Sequence, residues 1–173
     1  MTTYISFSNI ITFIFEHESD QFPFIGGLAL ILNYVVYLLG LTYAATLRNY
    51  KKQFQIAAIT YTINYALYIV DVNEIFRLII TIIGSIIGGY GASVLWVSQG
   101  GYMVKLFKKY MISSRDEGQY MGIQSGIIYG QVILGGAVTT FALGLFGNQT
   151  YFIVLTGIGA LSFLFVFFFL DSL

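Results

Sequence analysis

Apolar and polar positions alternate along the chain in long blocks. Five apolar stretches, at roughly 24–47, 54–71, 77–103, 120–146 and 151–170, are parted by short polar breaks. A helix needs ~20 mostly apolar residues to cross a bilayer, because it rises ~1.5 Å per residue through ~30 Å of hydrocarbon. The pattern predicts an all-α membrane protein of about five transmembrane helices. A shorter stretch, residues 4–16, places Phe7, Ile10, Ile11, Ile14 and Phe15 at helical i, i+3, i+4 spacing. It predicts an interfacial amphipathic helix, capped by Ser6 and lying on the membrane. Its polar face holds no Lys or Arg, so attraction to anionic lipid does not drive it. The expected organisation is an N-terminal segment, 1–20, followed by a five-helix transmembrane domain, 21–173. Pro23 stands just before the first span, where a helix can begin without losing a hydrogen bond.

Composition removes the soluble alternative. Hydrophobic residues make up 57% and charged residues 9%, against about 25% charged in soluble domains. Mean hydropathy is +0.80. The few charges then orient the spans. Arg48, Lys51 and Lys52 fall between spans one and two, and Lys105, Lys108, Lys109 and Arg115 between spans three and four. Seven of the eight basic residues thus occupy alternate loops on one side. The other side receives Glu16, Glu18, Asp20, Asp71, Glu74 and the turn Gly147-Asn148-Gln149. By the positive-inside rule the N-terminus lies outside and the C-terminus inside. Residues 1–20 lack the basic character of a cleaved secretory or mitochondrial address, so an organelle address is expected to be internal. The formal net charge of zero gives no reason to expect nucleic acid as a partner.

Chemistry inside the spans is mild. No Asp, Glu, Lys, Arg or His lies mid-span, which argues against proton-coupled transport. The polar residues there are Asn33, Asn64, Ser93, Ser98, Gln99, Gln124, Ser125, Gln131, Thr139 and Thr140. Gln99, Gln124 and Gln131 are the candidates for lining a polar cavity; the last two are seven apart and share a helix face. Hydrogen bonding to a neighbouring helix is the alternative for them. Gly118, Gly122, Gly126 and Gly130 repeat every four residues in the fourth span, and Gly84 and Gly88 do so in the third. Small residues at this spacing let backbones approach closely in lipid, so these six are the expected packing positions. Cysteine is absent, and His17 stands between two acids outside the spans. No metal-ligand spacing, catalytic triad or phosphate loop is legible. The expectation is a protein without cofactor and without enzymatic activity.

The run Gly91-Ala92-Ser93-Val94-Leu95-Trp96-Val97-Ser98-Gln99-Gly100-Gly101-Tyr102 resembles a signature of the uncoordinated-ninety-three-like family. Members carry glycine-alanine, leucine-tryptophan and glutamine-glycine-x-tyrosine at the end of their fourth helix. Gly91, Leu95, Trp96, Gln99, Gly100 and Tyr102 carry the likeness here. Tyr65-Ala66-Leu67-Tyr68-Ile69 resembles the end of the family's third helix, and Gly122-Ile123 with Gln131 and Gly135 its fifth. The family is similar in fold to the major facilitator superfamily. The resemblance covers roughly 25–170 and implies helices two to six of that fold's N-terminal half. The first helix would be missing or reduced to 4–16, and the second half absent. The loop around Arg48-Asn49-Tyr50-Lys51-Lys52 lacks the glycine usual there.

Family members act chiefly as regulatory and trafficking partners of other membrane proteins. The resemblance therefore implies a non-catalytic accessory or regulatory subunit of a larger membrane complex, derived from a transporter. Its partners would be the lipid bilayer, other membrane subunits and bound lipids. A half-size transporter or channel working as a homodimer, or a trafficking factor, are the alternatives. Such accessory subunits are common in the mitochondrial inner membrane, the first location to expect, with plasma membrane or endomembrane as alternatives.

Overall fold

Asparagine side chains, not the ends of the apolar runs, decide where two of the helices begin. The computed structural model of the chain describes residues 24–47, 49–70 and 73–169. Asn49 Oδ1 accepts from the Lys52 N–H at 3.1 Å, which starts one helix at Tyr50. Asn73 Oδ1 accepts from the Phe76 N–H at 3.0 Å and starts another at Glu74. An N-cap asparagine satisfies an amide that the first turn leaves orphaned. The polar turns so included escape a hydropathy reading. The second helix therefore begins before residue 54 and the third before residue 77.

Four helical runs result: α1 (Ile25–Ala44), α2 (Tyr50–Ala66), α3 (Glu74–Lys109) and a run Ser114–Phe169. The last is broken at Gly147, with φ 76° and ψ 168°. Only glycine occupies that region comfortably. We label the arm before the break α4 (114–146) and the arm after it α5 (Gln149–Phe168). α4 opens on Ser113, whose hydroxyl accepts from the Asp116 N–H and donates to Asp116 Oδ2 at 2.7 Å. α3 ends where Ile112 N–H donates to the Phe107 carbonyl at 3.0 Å and Met111 N–H to Lys108 at 3.3 Å. This pairing needs a left-handed residue after the cap, and Met111 takes it at φ 51°. All secondary structure among the described residues is helical. The expected helix over 4–16 lies outside the described residues, as do Arg48, Asp71 and His17.

α1, α3 and α5 are long and apolar enough to cross a membrane. α2 has 17 residues, a rise of roughly 26 Å. α3 is the centre, with α1 and α2 both packed on it, and α5 packs on α2. Close approaches set the directions. Asn33 Nδ2 donates to the Ser85 carbonyl at 3.1 Å, while Gly40 faces Ser93. Numbers rise together, so α1 and α3 run parallel. Tyr50 covers Gly101, Thr60 covers Gly91 and Asn64 covers Gly84, so α2 runs against α3. Thr62 covers Gly159 and the Tyr68 ring lies 5.5 Å from Phe152, so α5 also runs against α2.

The interior mixes buried polar residues with apolar ones, while large apolar side chains are exposed. Gln53, Asn64 and Thr81 are each 1% exposed, and Ser93 and Ser98 are fully buried. Leu39 and Phe168, by contrast, are 69% and 70% exposed. Apolar side chains facing out and hydrogen-bonding side chains facing in suit hydrocarbon as the solvent. A small apolar core remains around Ile25, Ala29, Tyr61, Tyr65, Ala92 and Phe152.

Candidate functional site

The buried side of α3 is a seam of small and polar residues. Thr81, Gly84, Ser85, Gly88, Gly89, Gly91, Ala92, Ser93 and Ser98 are all buried on it. Glycine explains how neighbours come so close. A Cβ at Gly89 would stand 2.5 Å from the Asn33 carbonyl oxygen and 3.2 Å from Tyr37 N. One at Gly84 would stand 2.7 Å from Asn64 Oδ1 and 2.8 Å from the Tyr68 hydroxyl. Asn64 Oδ1 is sealed from solvent with no hydrogen-bond partner among the described residues. Ser85 and Ser93 turn their hydroxyls back onto α3, donating to the Thr81 and Tyr90 carbonyls at 2.7 Å each.

The residues expected to carry the family likeness divide by face. Gly91 is buried under Thr60, Leu95 is half-buried against the core, and the Tyr102 ring meets Phe54 edge-on at 5.8 Å. These three face α2. Trp96 is 40% exposed, and Gly100 has open space where a Cβ would stand. The signature therefore has one face toward a helix and one toward the surroundings. Gln99 and Gln124 are half-buried, on α3 and α4. Gln131 lies on α4, with its side chain outside the described residues.

The two glycine rows differ. Gly84 is close-packed and Gly88 buried. Gly118, Gly122, Gly126 and Gly130 on α4 meet nothing within 4 Å of a Cβ position. Tyr120, Met121, Ile123 and Ile127 beside them are exposed. At its foot α4 reaches α3, where the Tyr120 ring lies 6.1 Å from Phe107.

Sequence reasoning passed over a groove between α2 and α5. Phe54, Ala58, Tyr61 and Tyr65 form one wall, Leu95 the floor, and Ile158, Gly159, Ser162 and Val166 the other wall. Its volume is about 150 Å³. The Ser162 hydroxyl donates to the Ile158 carbonyl at 2.8 Å, and the lining is mostly apolar, with the Tyr61 and Tyr65 side chains part of it. The positions 54, 58, 61 and 65 recur at helical spacing, a signal that was present in the sequence. The opposing wall came from a helix nearly a hundred residues away. Among the described residues, no three of His, Cys, Asp or Glu come together as a metal site would require.

No protein-family model, curated protein or solved structure matches the chain.

Proposed function

We propose that the chain is a non-catalytic accessory subunit of a larger membrane assembly, crossing the bilayer five times. The helix directions support the crossing number. α1, α3 and α5 are the apolar spans and all run against α2. Three spans pointing the same way require two returns, and α2 and α4 are the segments that make them. α2 is short for a full crossing but carries polar side chains inward, against α3, where lipid does not reach them.

The accessory role rests on α4. A Cβ at any of its four glycines would meet nothing within 4 Å, and Tyr120, Met121, Ile123 and Ile127 beside them are exposed. A glycine row facing lipid lacks the close packing that favours it in membrane helices. A helix from another subunit seated on that row supplies it. The third-span motif supports descent from an uncoordinated-ninety-three-like ancestor, whose members partner other membrane proteins. The mitochondrial inner membrane is the first place to look for the assembly.

The chain has no cysteine, so Gly122→Cys introduces a unique crosslinking handle. Gentle detergent extraction from native membranes should yield a complex well above the size of this chain, and Gly122→Cys should crosslink to a second membrane protein. A monodisperse lone monomer with no crosslinked product would sink the reading. A crosslink to a second copy of the chain would favour the homodimeric alternative instead.

A further inference from the structure

We infer that the α2–α5 groove and the lysines at its end form a binding site for one anionic phospholipid, with an acyl chain in the groove and the phosphate on Lys51 and Lys105. The inference rests on the chain being lipid-embedded and not on its having a protein partner. The groove is mostly apolar, about 150 Å³ and open on one side.

The groove's position selects the kind of hydrocarbon. Lys51, Phe54, Ala58, Tyr61 and Tyr65 follow one face of α2 at i, i+3, i+7, i+10 and i+14. The stripe that lines the groove thus runs directly into a lysine. On α3 the same continuity joins Leu95 to Tyr102 and Lys105 at i+7 and i+10. The Tyr102 ring closes on Phe54 edge-on. Tyr50 fits over Gly101, and Lys105 Nζ lies 4.8 Å above the Tyr50 ring centroid. Lys51, beside Tyr50 on α2, and Lys105, whose Nζ lies over the Tyr50 ring, thus stand toward the same end of α2 as the groove's Phe54. Lys52 adds a third charge, and Lys108 and Lys109 extend the basic side on α3. Asp116 and Glu117, at the start of α4, are the acids on this side among the described residues.

The height is right for a headgroup. α3 has 36 residues, a rise of roughly 54 Å against ~30 Å of hydrocarbon. Its last turns stand in the headgroup layer, where basic residues attract anionic lipid. A mostly apolar slot with cations toward one end complements a molecule with a chain at one end and a negative phosphate near the other. A zwitterionic lipid fits the slot and gains less at the lysines.

The test is native mass spectrometry of the detergent-purified full chain, titrated with phosphatidylglycerol or phosphatidylcholine of identical acyl chains. Phosphatidylglycerol is expected to bind about tenfold more tightly. The double variant Lys51→Gln with Lys105→Gln should bring it down to the phosphatidylcholine level. Ser162→Phe, which fills the groove from an exposed position, should weaken both lipids, with circular dichroism confirming retained helix. Free glycerol phosphate should not compete. Equal affinity for the two lipids in the unaltered protein overturns the proposal, as does undiminished phosphatidylglycerol binding by the double lysine variant. Full competition by glycerol phosphate removes the groove from the site. A protein that stays in solution without detergent would instead refute the membrane reading itself.

Discussion

Two glycines on α3 show how much one hydrogen atom decides. At Gly89 a methyl group would meet the Asn33 carbonyl at 2.5 Å, and the obstacle is backbone on both sides of the contact. Neither helix can give without losing the Asn33–Ser85 hydrogen bond, which is 3.1 Å long. Gly89→Ala should therefore lower stability by about 2 kcal/mol, in the range of overpacked cores. Gly100 has nothing near a Cβ position. There the helix gains from a residue with less freedom to lose, so Gly100→Ala should raise stability by about 0.5–1 kcal/mol. Thermal unfolding in one detergent compares both with the unaltered chain. Met111 offers the opposite exchange. Its φ of 51° costs a side-chain-bearing residue roughly 1 kcal/mol, so Met111→Gly should stabilise by a similar amount in the same assay.

At the scale of the element, the turns are specified by single residues. Asn49 and Asn73 each hold one amide of a first turn, at 3.1 and 3.0 Å. Loss of such a cap costs about 1 kcal/mol. Gly147 has the larger task, because its φ of 76° and ψ of 168° reverse the chain between α4 and α5. Gly147→Ala strains that turn by about 1–3 kcal/mol. The expected outcome is faster protease cleavage between α4 and α5, with the α1–α2–α3 packing unchanged. Equal cleavage rates for variant and unaltered protein would contradict a glycine-dependent turn. Hydropathy alone places these helix starts later in the chain. The caps moved them because a polar first turn is still helix, and hydropathy measures only the part that suits hydrocarbon.

For the whole molecule the prediction is topological. If the chain crosses five times, Asn49 and residues 110–113 lie on one side and residue 73 and the turn at 147 on the other. Single cysteines at Asn49, Tyr110, Asn73 and Gly147 test this in a chain with no cysteine of its own. An impermeant thiol reagent applied to sealed vesicles should label the first two as one class and the last two as the other. Labelling of Asn49 and Asn73 sites from the same side would show that α2 does not cross.

Length and apolarity alone placed three helices that could cross a membrane, at positions close to those expected, because solvent cost acts on each residue wherever the rest of the chain goes. The glycine spacing was equally legible on α3 and α4, but spacing does not say what stands opposite. Only the tertiary structure separated the row at Gly84 and Gly88, sunk between helices, from the row at Gly118 to Gly130, which faces open space. It alone brought Ile158 and Ser162 across from Phe54 and Ala58 to make a groove, and Tyr50 over Gly101 to bring Lys105 beside α2. Solvent preference is local and can be read residue by residue. Proximity depends on which helix packs on which, and that is settled only when the whole chain is folded.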